Sequence, residues 1–200
     1  MAAVPRSVPV ESRLPNPVSL FAQYRNGFVL ELPASPPDGA DEVVGTLTFG
    51  VDNAANNRIH GAHILRIDAL GHFTTRFGGI DFPESYLDSG TETYILADDG
   101  FTRCAGMIWA FCVSPARTLD AAMVGTDGQT TSIAFTIGDD RGALNRGVGA
   151  WDGFAEVAEG SSRAFVWGAP FFFGRRVALV FEGGAADNGK GVPGPFYALP

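Results

Sequence analysis

Residues 86–91 read Tyr-Leu-Asp-Ser-Gly-Thr, and this short segment bears most directly on the fold. Two side chains that suit a strand lead into Asp88, and a glycine follows two residues later. Gly90 lets the backbone fold back without a Cβ clash, so the pattern predicts a strand that delivers Asp88 to the start of a tight turn. The hydroxyls of Ser89 and Thr91 are placed to hold and orient the carboxylate. The alternative is an ordinary Asx turn, in which the aspartate only caps its own loop.

Short β-prone segments surround this loop on both sides. Gly and Pro occupy 26 and 13 positions, which favours turns over long helices. Residues 43–50 and 131–137 alternate apolar and polar side chains, as half-buried strands do. The pattern predicts an all-β fold, a closed or partly open barrel or sandwich with few short helices. Outside these two segments, we expect the strongest strands at 164–173 and 175–181, the best helix at 115–123 and irregular structure over 138–163.

Length and proline content predict the domain organisation. The chain has 200 residues, which suits a single domain. Residues 1–19 carry prolines at positions 5, 9, 15 and 17, which is typical of an extended arm or linker. We therefore expect an N-terminal arm over 1–19 and one β-rich lobe over 20–200. No apolar run approaches the roughly 18 residues of a membrane span.

The charge balance argues against nucleic acid as a partner. The formal net charge is -8, and the isoelectric point is about 4.7. Lys190 is the single lysine, and the other basic residues are scattered arginines. Such a chain lacks the clustered basic surface that neutralises phosphates.

The two cysteines bear on the cellular compartment in which the protein resides. Cys104 and Cys112 lie in an apolar stretch, and a pair that closes a short loop fits a disulfide of an exported protein. Two buried free thiols are the alternative. Residues 1–10 have no apolar core of a secretory signal. We expect a periplasmic or extracellular protein whose signal, if it has one, lies outside this chain.

The remaining candidate motifs predict neither a metal nor a cofactor. His60 and His63 are three residues apart, which in a strand places them on opposite faces. No Cys or Asp nearby completes a tetrahedral set. No serine lies in a nucleophile elbow, and no glycine cluster forms a phosphate loop before a helix.

Three segments taken in order resemble a known family. Residues 45–52 (GTLTFGVD), 86–91 and 165–177 follow the order of motifs in the C-terminal lobe of pepsin-like aspartic proteases. Residues 167–175 (WGAPFFFGR) and 194–197 (GPFY) also match an uncharacterised bacterial family, a domain of unknown function with a pepsin-like outline. The resemblance covers roughly residues 16–200.

The resemblance implies a fold and a site. The fold is a pepsin-like lobe with a crossed active loop, and the substrate is a peptide or protein. It assigns the catalytic carboxylate to Asp88 and the support of that loop to Ser89, Gly90 and Thr91. The segment expected to cross the loop is Val166, Trp167 and Gly168.

An aspartic peptidase needs two carboxylates that share one proton. The chain has one apolar-Asp-Ser-Gly-Thr loop, so Asp88 is half of a site. A second lobe or a second copy, as in retroviral peptidases, is expected to supply the other half. Asp68, Asp81, Glu84 and Glu92 lack the sequence context of the motif. Asp139, Asp140 and Asp152 lie in turn-like segments and are interpreted as solvated loop acids.

Two positions depart from the peptidase pattern. Glu92-Thr93 follow the loop where small and apolar residues are usual, and Ala169 stands where the peptidases carry aspartate. They motivate a second hypothesis, a catalytically inactive exported β-domain that acts as a binding module. A third hypothesis is an unrelated β-sandwich in which Asp88 only caps a turn.

Overall fold

A computed structural model describes residues 16–97, 100–158, 162–186 and 191–200. Strands make up most of its regular structure, which confirms the all-β class. The strands are β1 Gly27–Glu31, β2 Thr46–Phe49, β3 His63–Arg66, β4 Phe73–Phe77, β5 Ile80–Leu87, β6 Tyr94–Leu96, β7 Arg103–Cys104, β8 Met107–Val124, β9 Thr130–Asp139, β10 Ala155–Val157, β11 Val166–Trp167, β12 Arg176–Val180, β13 Ala185–Ala186, β14 Val192–Pro193 and β15 Phe196–Leu199. The helices are α1 Asp140–Asn145 and α2 Ala169–Phe172.

The strands form two main sheets. The five-stranded sheet has the order β2-β1-β12-β15-β3, with every neighbouring pair antiparallel. The eight-stranded sheet has the order β10-β6-β11-β5-β4-β8-β7, and β9 pairs with β8. Glu156 in β10 also pairs with Ala110 in β8. This pairing closes the path β10-β6-β11-β5-β4-β8, so that these six strands form a continuous ring of pairings. β13 and β14 form a separate small hairpin.

Strands β12 and β15 of the five-stranded sheet are covered on both faces, because successive apolar side chains point to opposite sides. Val177 and Leu199 belong to the large core that the eight-stranded sheet encloses. Ala178 and Val180 point the other way, into a smaller core that includes Ile59. Aromatic side chains dominate the large core, and aromatic pairs of this kind favour edge-to-face and offset-stacked contacts.

The predicted helix over residues 115–123 is wrong. These residues lie inside β8 and pair with β9 from Arg117↔Ile137 to Val124↔Thr130. Ala121 and Met123 face the core, Ala122 between them is half-buried, and Asp120 before them is exposed. Pairing with β9 therefore overrides the helix propensity of this alanine-rich segment.

The predicted strand over residues 164–173 is correct only for its first part. β11 ends at Trp167, and α2 begins at once with Pro170 in its first turn, where the missing amide hydrogen is tolerated. Phe171 and Phe172 are both buried, at 0% and 5% exposure. In a strand, two consecutive residues would point to opposite faces, and a sheet covered on one face would bury only one of them.

Two further segments differ from the prediction or lie outside the description. The stretch 138–163, expected to be irregular, contains α1 and β10. Residues 1–15 of the expected arm lie outside the described residues, and Pro17–Leu20 forms a 3₁₀ turn that Asn16 caps.

Candidate functional site

Asp88 follows directly on the last residue of β5. Tyr86 and Leu87 pair in parallel with Val166 and Trp167. The amide of Asp88 continues this ladder and donates to the carbonyl of Trp167 at 2.9 Å. The structure therefore places the predicted active loop beside the predicted crossing segment.

Hydrogen bonds from its own loop hold the Asp88 carboxylate. Its Oδ1 accepts from the amide of Gly90 at 3.0 Å. Its Oδ2 accepts from the hydroxyl of Thr91 at 2.7 Å. The amide of Thr91 also donates to the Asp88 carbonyl at 3.2 Å, which closes the turn. Each carboxylate oxygen has one donor and retains a second lone pair for a water or another carboxyl group.

At Gly168 the backbone of the second segment lies directly against the carbonyls of Thr91 and Thr93. A Cβ on Gly168 would lie 2.0 Å from the carbonyl oxygen of Thr93 and 2.6 Å from that of Thr91. The next amide, on Ala169, donates to the Thr91 carbonyl at 2.6 Å. Only glycine fits here, because backbone passes directly over backbone.

Trp167 anchors the crossing segment in the core. Its side chain is fully buried and stacks on Phe165, with ring centroids 4.4 Å apart. The indole Nε1 donates to the hydroxyl of Thr75 in β4 at 2.9 Å. Because a buried indole N–H needs an acceptor, this bond determines how the tryptophan lies.

Tyr197 of β15 contacts the end of β5 next to Asp88, through a hydrogen bond with the backbone of Leu87, and the sequence did not predict this neighbour. Burial raises the pKa of Tyr197 to about 12, and the negative charge of Asp88 adds to the effect. A backbone hydrogen bond with Leu87 acts in the opposite direction. The motif Gly194-Pro195-Phe196-Tyr197 was the only local signal, and nothing in it points to Asp88.

Glu156 is a further acid close to the residues that follow the loop. Glu156 of β10 is hydrogen-bonded by the hydroxyl of Thr93. Burial raises the pKa of Glu156, and the exposed Glu92 raises it further. Glu156 has no motif of its own, and it reaches Thr93 only because β10 pairs with β6.

The interpretation of Asp139, Asp140 and Asp152 as solvated loop acids is wrong for Asp140 and incomplete for the two others, which are half-buried. Asp140 is 1% exposed and accepts the amide of Ala155. Burial raises its pKa to about 8, and Glu156 and Asp139 add to the rise. Burial likewise raises the pKa of Asp152. Asp139 is half-buried and caps the N-terminus of α1 through Gly142.

Cys104 and Cys112 form a disulfide. Their sulfurs and a carboxylate oxygen of Asp139 lie within 4.8 Å of one another. The disulfide occupies both sulfurs, so they do not present the thiolates that a metal would need. His60 lies in the turn at residues 60–61 and His63 begins β3, and both are exposed.

The family assignment rests on the match of nearly the entire chain. Residues 2–199 match the model of the family described as "Protein of unknown function (DUF3443)". The chain belongs to this family. No curated protein matches this DUF3443 chain. Within the described ranges, no helix has the length and apolar character needed to cross a membrane.

Proposed function

We propose that this DUF3443 chain is one lobe of a pepsin-like aspartic peptidase and that Asp88 is one of its two catalytic carboxylates. The arrangement of the loop carries the proposal. A carboxylate at the end of a strand accepts from Gly90 and Thr91, and a glycine-containing segment crosses the same loop at Gly168. A simple Asx turn does not require that crossing.

The chemistry follows from a pair of carboxylates. Two carboxyl groups a few ångströms apart do not both ionise, because their negative charges would repel, so the pair shares one proton. The ionised partner takes a proton from a bound water, which attacks the peptide carbonyl, while the protonated partner donates to the carbonyl oxygen. The hydrogen bonds from Gly90 and Thr91 keep the Asp88 carboxylate in one orientation for this step.

The second carboxylate comes from outside this loop. The sequence contains one Asp-Ser-Gly-Thr segment. A second lobe or a second copy of the chain therefore completes the site, and the single lobe is inactive by itself. The substrate is a peptide or protein.

A specific observation favours a second function, that of an inactive binding module. Glu92 is exposed directly after the loop and interacts with Glu156. This places extra negative charge where a peptide would enter. In this alternative the loop has only a structural role, and Asp88 contacts a bound peptide without catalysing its cleavage.

Cleavage of a peptide library at acid pH tests the proposal. We expect Asp88→Asn to reduce cleavage by at least ~10²-fold, because one member of the pair can no longer ionise. Thr91→Val should weaken cleavage and Thr91→Ser should restore it. Asp81→Asn is the matched control, since Asp81 is exposed and paired with Arg76 at 3.1 Å.

An inhibitor that mimics the tetrahedral intermediate separates the two functions. The peptidase hypothesis predicts that it blocks cleavage by the wild-type chain. Cleavage that persists unchanged in Asp88→Asn would refute the catalytic role. Peptide binding without turnover, in every oligomeric state, would favour the binding module.

We also propose that the protein is exported. The Cys104–Cys112 disulfide supports this location, because disulfides persist in oxidising compartments. Mass spectrometry of alkylated protein from cell fractions is the direct check, and free thiols in freshly isolated protein would contradict it.

A further inference from the structure

A pocket opens on the face of the five-stranded sheet that carries the smaller core. Val29, Ala178 and Ala198 are direct partners across β1, β12 and β15, and directly opposed residues project to the same side of a sheet. All three belong to the smaller core and line the pocket. Because two of them are alanines, the middle of this row is hollow. We name the hollow the β12–β15 pocket, and its volume is about 210 Å³.

A short loop forms one wall of the β12–β15 pocket. Residues 58–62 follow a 3₁₀ turn that ends at Asn57, and all five of them line the pocket. Ile59 is buried and packs in the smaller core. The amide of Ala62 donates to the carbonyl of Ile59 at 3.0 Å, which closes the turn. Backbone hydrogen bonding and core packing therefore give this wall its shape without a ligand.

The guanidinium of Arg176 is held at the rim of the pocket. Arg176 lies two residues before Ala178 on β12, so its side chain projects to the same face. Its Nη1 donates to the carboxylate of Glu31 at 2.9 Å. Its Nη2 donates to the carbonyls of residues 56 and 58, at 2.9 and 3.3 Å. Its Nε has no hydrogen-bond partner among the described residues, so the group is positioned and retains a donor.

A second guanidinium, that of Arg58, also lines the pocket. Its Nη1 contacts the carbonyl and the carboxylate of Asp52, each at 3.4 Å. Its Nε and Nη2 have no partner in the described part of the chain, and His60 adds an imidazole to the rim. Acidic residues outnumber basic ones by 22 to 14 in the sequence, yet none of the described residues that line this pocket is acidic. The β12–β15 pocket thus combines an apolar floor with a basic rim.

We propose that the β12–β15 pocket binds a small carboxylic acid with an apolar body, its carboxylate on the two arginines and its body on the two alanines. A guanidinium offers donors in the geometry that a carboxylate accepts. An apolar cavity of ~150 Å³ holds a benzene molecule, so a cavity of about 210 Å³ suits a benzene ring with one short acidic arm. The site does not depend on the proposed function, because Ala178 and Ala198 face away from the core that the Asp88-bearing sheet encloses.

The rim discriminates between ligands by charge. A cationic ligand would meet two guanidinium groups. A neutral ligand would displace water from the remaining arginine donors without replacing its hydrogen bonds, which is costly for charged groups. A carboxylate both satisfies these donors and complements their charge.

Titration of the full chain with phenylacetate at pH 7 tests the site, with alanine methyl signals observed by NMR. We expect the signals of Ala178 and Ala198 to shift in a saturable manner. Phenylacetamide has the same ring and no charge, and it should bind at least tenfold more weakly. Absence of a shift at both methyl groups, or equal affinity for the two compounds, would overturn the proposal.

Two variants separate recognition of the carboxylate from recognition of the apolar body. Arg58→Gln should weaken phenylacetate binding at least tenfold, and Ala62→Leu should weaken both compounds because it enlarges a side chain in the pocket wall. Circular dichroism verifies that both variants are folded. Arg163→Gln is the matched control, since Arg163 is exposed, pairs with Glu84 at 2.7 Å and lies outside the pocket. Equal weakening by Arg58→Gln and Arg163→Gln would reveal only a general charge attraction and would overturn the proposal.

A free acid and the C-terminal residue of a peptide share this chemistry. Comparison of phenylacetate with N-acetylglycylphenylalanine distinguishes the two sources. Tighter binding of the acetylated dipeptide would assign the pocket to chain ends, and tighter binding of phenylacetate would assign it to free acids. Either result at the two alanine methyl groups supports the site, and failure of both compounds to bind there overturns it.

Discussion

Substitution of Gly168 by alanine probes the crossing of the two segments. The added Cβ would lie 2.0 Å from the Thr93 carbonyl oxygen and 2.6 Å from that of Thr91. Ordinary contact begins at 3.4 Å, so the loop must move by roughly 1.4 Å. Gly168 has φ -73° and ψ -165°, which alanine also adopts, so the effect comes from the clash and not from strained dihedral angles.

The expected loss of stability follows from these distances. A forced backbone shift in a packed region costs ~1–3 kcal/mol and occasionally more. The entropy that alanine removes from the unfolded chain offsets ~0.4–1 kcal/mol. With a contact this short, we expect a net loss of about 2 kcal/mol, which for 200 residues lowers Tm by ~4–8 °C. A shift of about 1 Å at the Asp88 loop should also reduce any cleavage by ~10²-fold.

Thermal unfolding and peptide cleavage measure both effects. Gly128→Ala is the control, because Gly128 has φ +82° in the β8–β9 turn with nothing within 4 Å of the added Cβ. It should cost about 1–2 kcal/mol from backbone strain alone and leave cleavage unchanged. A Gly168→Ala protein with the wild-type Tm and wild-type cleavage would refute the argument that backbone crosses backbone at this point.

Two further predictions concern a buried acid and the disulfide. Burial raises the pKa of Asp140 to about 8 in the folded state, above its ordinary value of 3.8, so the folded chain retains a proton that the unfolded chain releases between these values. The resulting stabilisation is present at low pH and is lost as pH rises through about 8. Asp140→Asn should therefore flatten urea-unfolding stability between pH 5 and 9, and an unchanged pH slope would contradict this. Replacement of Cys104 and Cys112 by serine should cost about 2.5 kcal/mol, as the chain-entropy model gives for a short loop; the separation here is 8 residues. Phosphine reduction of the wild-type chain should lower its Tm as much as the double serine substitution does. An unchanged Tm would argue against a structural role of the disulfide.

Local patterns predicted the parts of the fold that depend on neighbours in sequence. The strand before Asp88 and the turn at Gly90 follow from residue types within six positions. The helix prediction for residues 115–123 was wrong because it rested on the helix propensity of alanine, leucine and methionine. Pairing with the neighbouring strand β9 determines their conformation instead. The prediction that Asp140 is solvated was wrong for a related reason. The segment Gly-Asp-Asp-Arg is typical of an exposed turn, but α1 packs against β8 and Asp140 is buried.

Short patterns of side chains were enough to predict the all-β class, the Asp88 loop and the segment expected to cross it. Tertiary packing was needed to bring Gly168 against Thr93, Tyr197 to the end of β5 beside Asp88, and Arg176 to the rim of the β12–β15 pocket. These contacts join segments far apart in the chain. Strand pairing and burial create them, and no local periodicity records which strand a given residue will face.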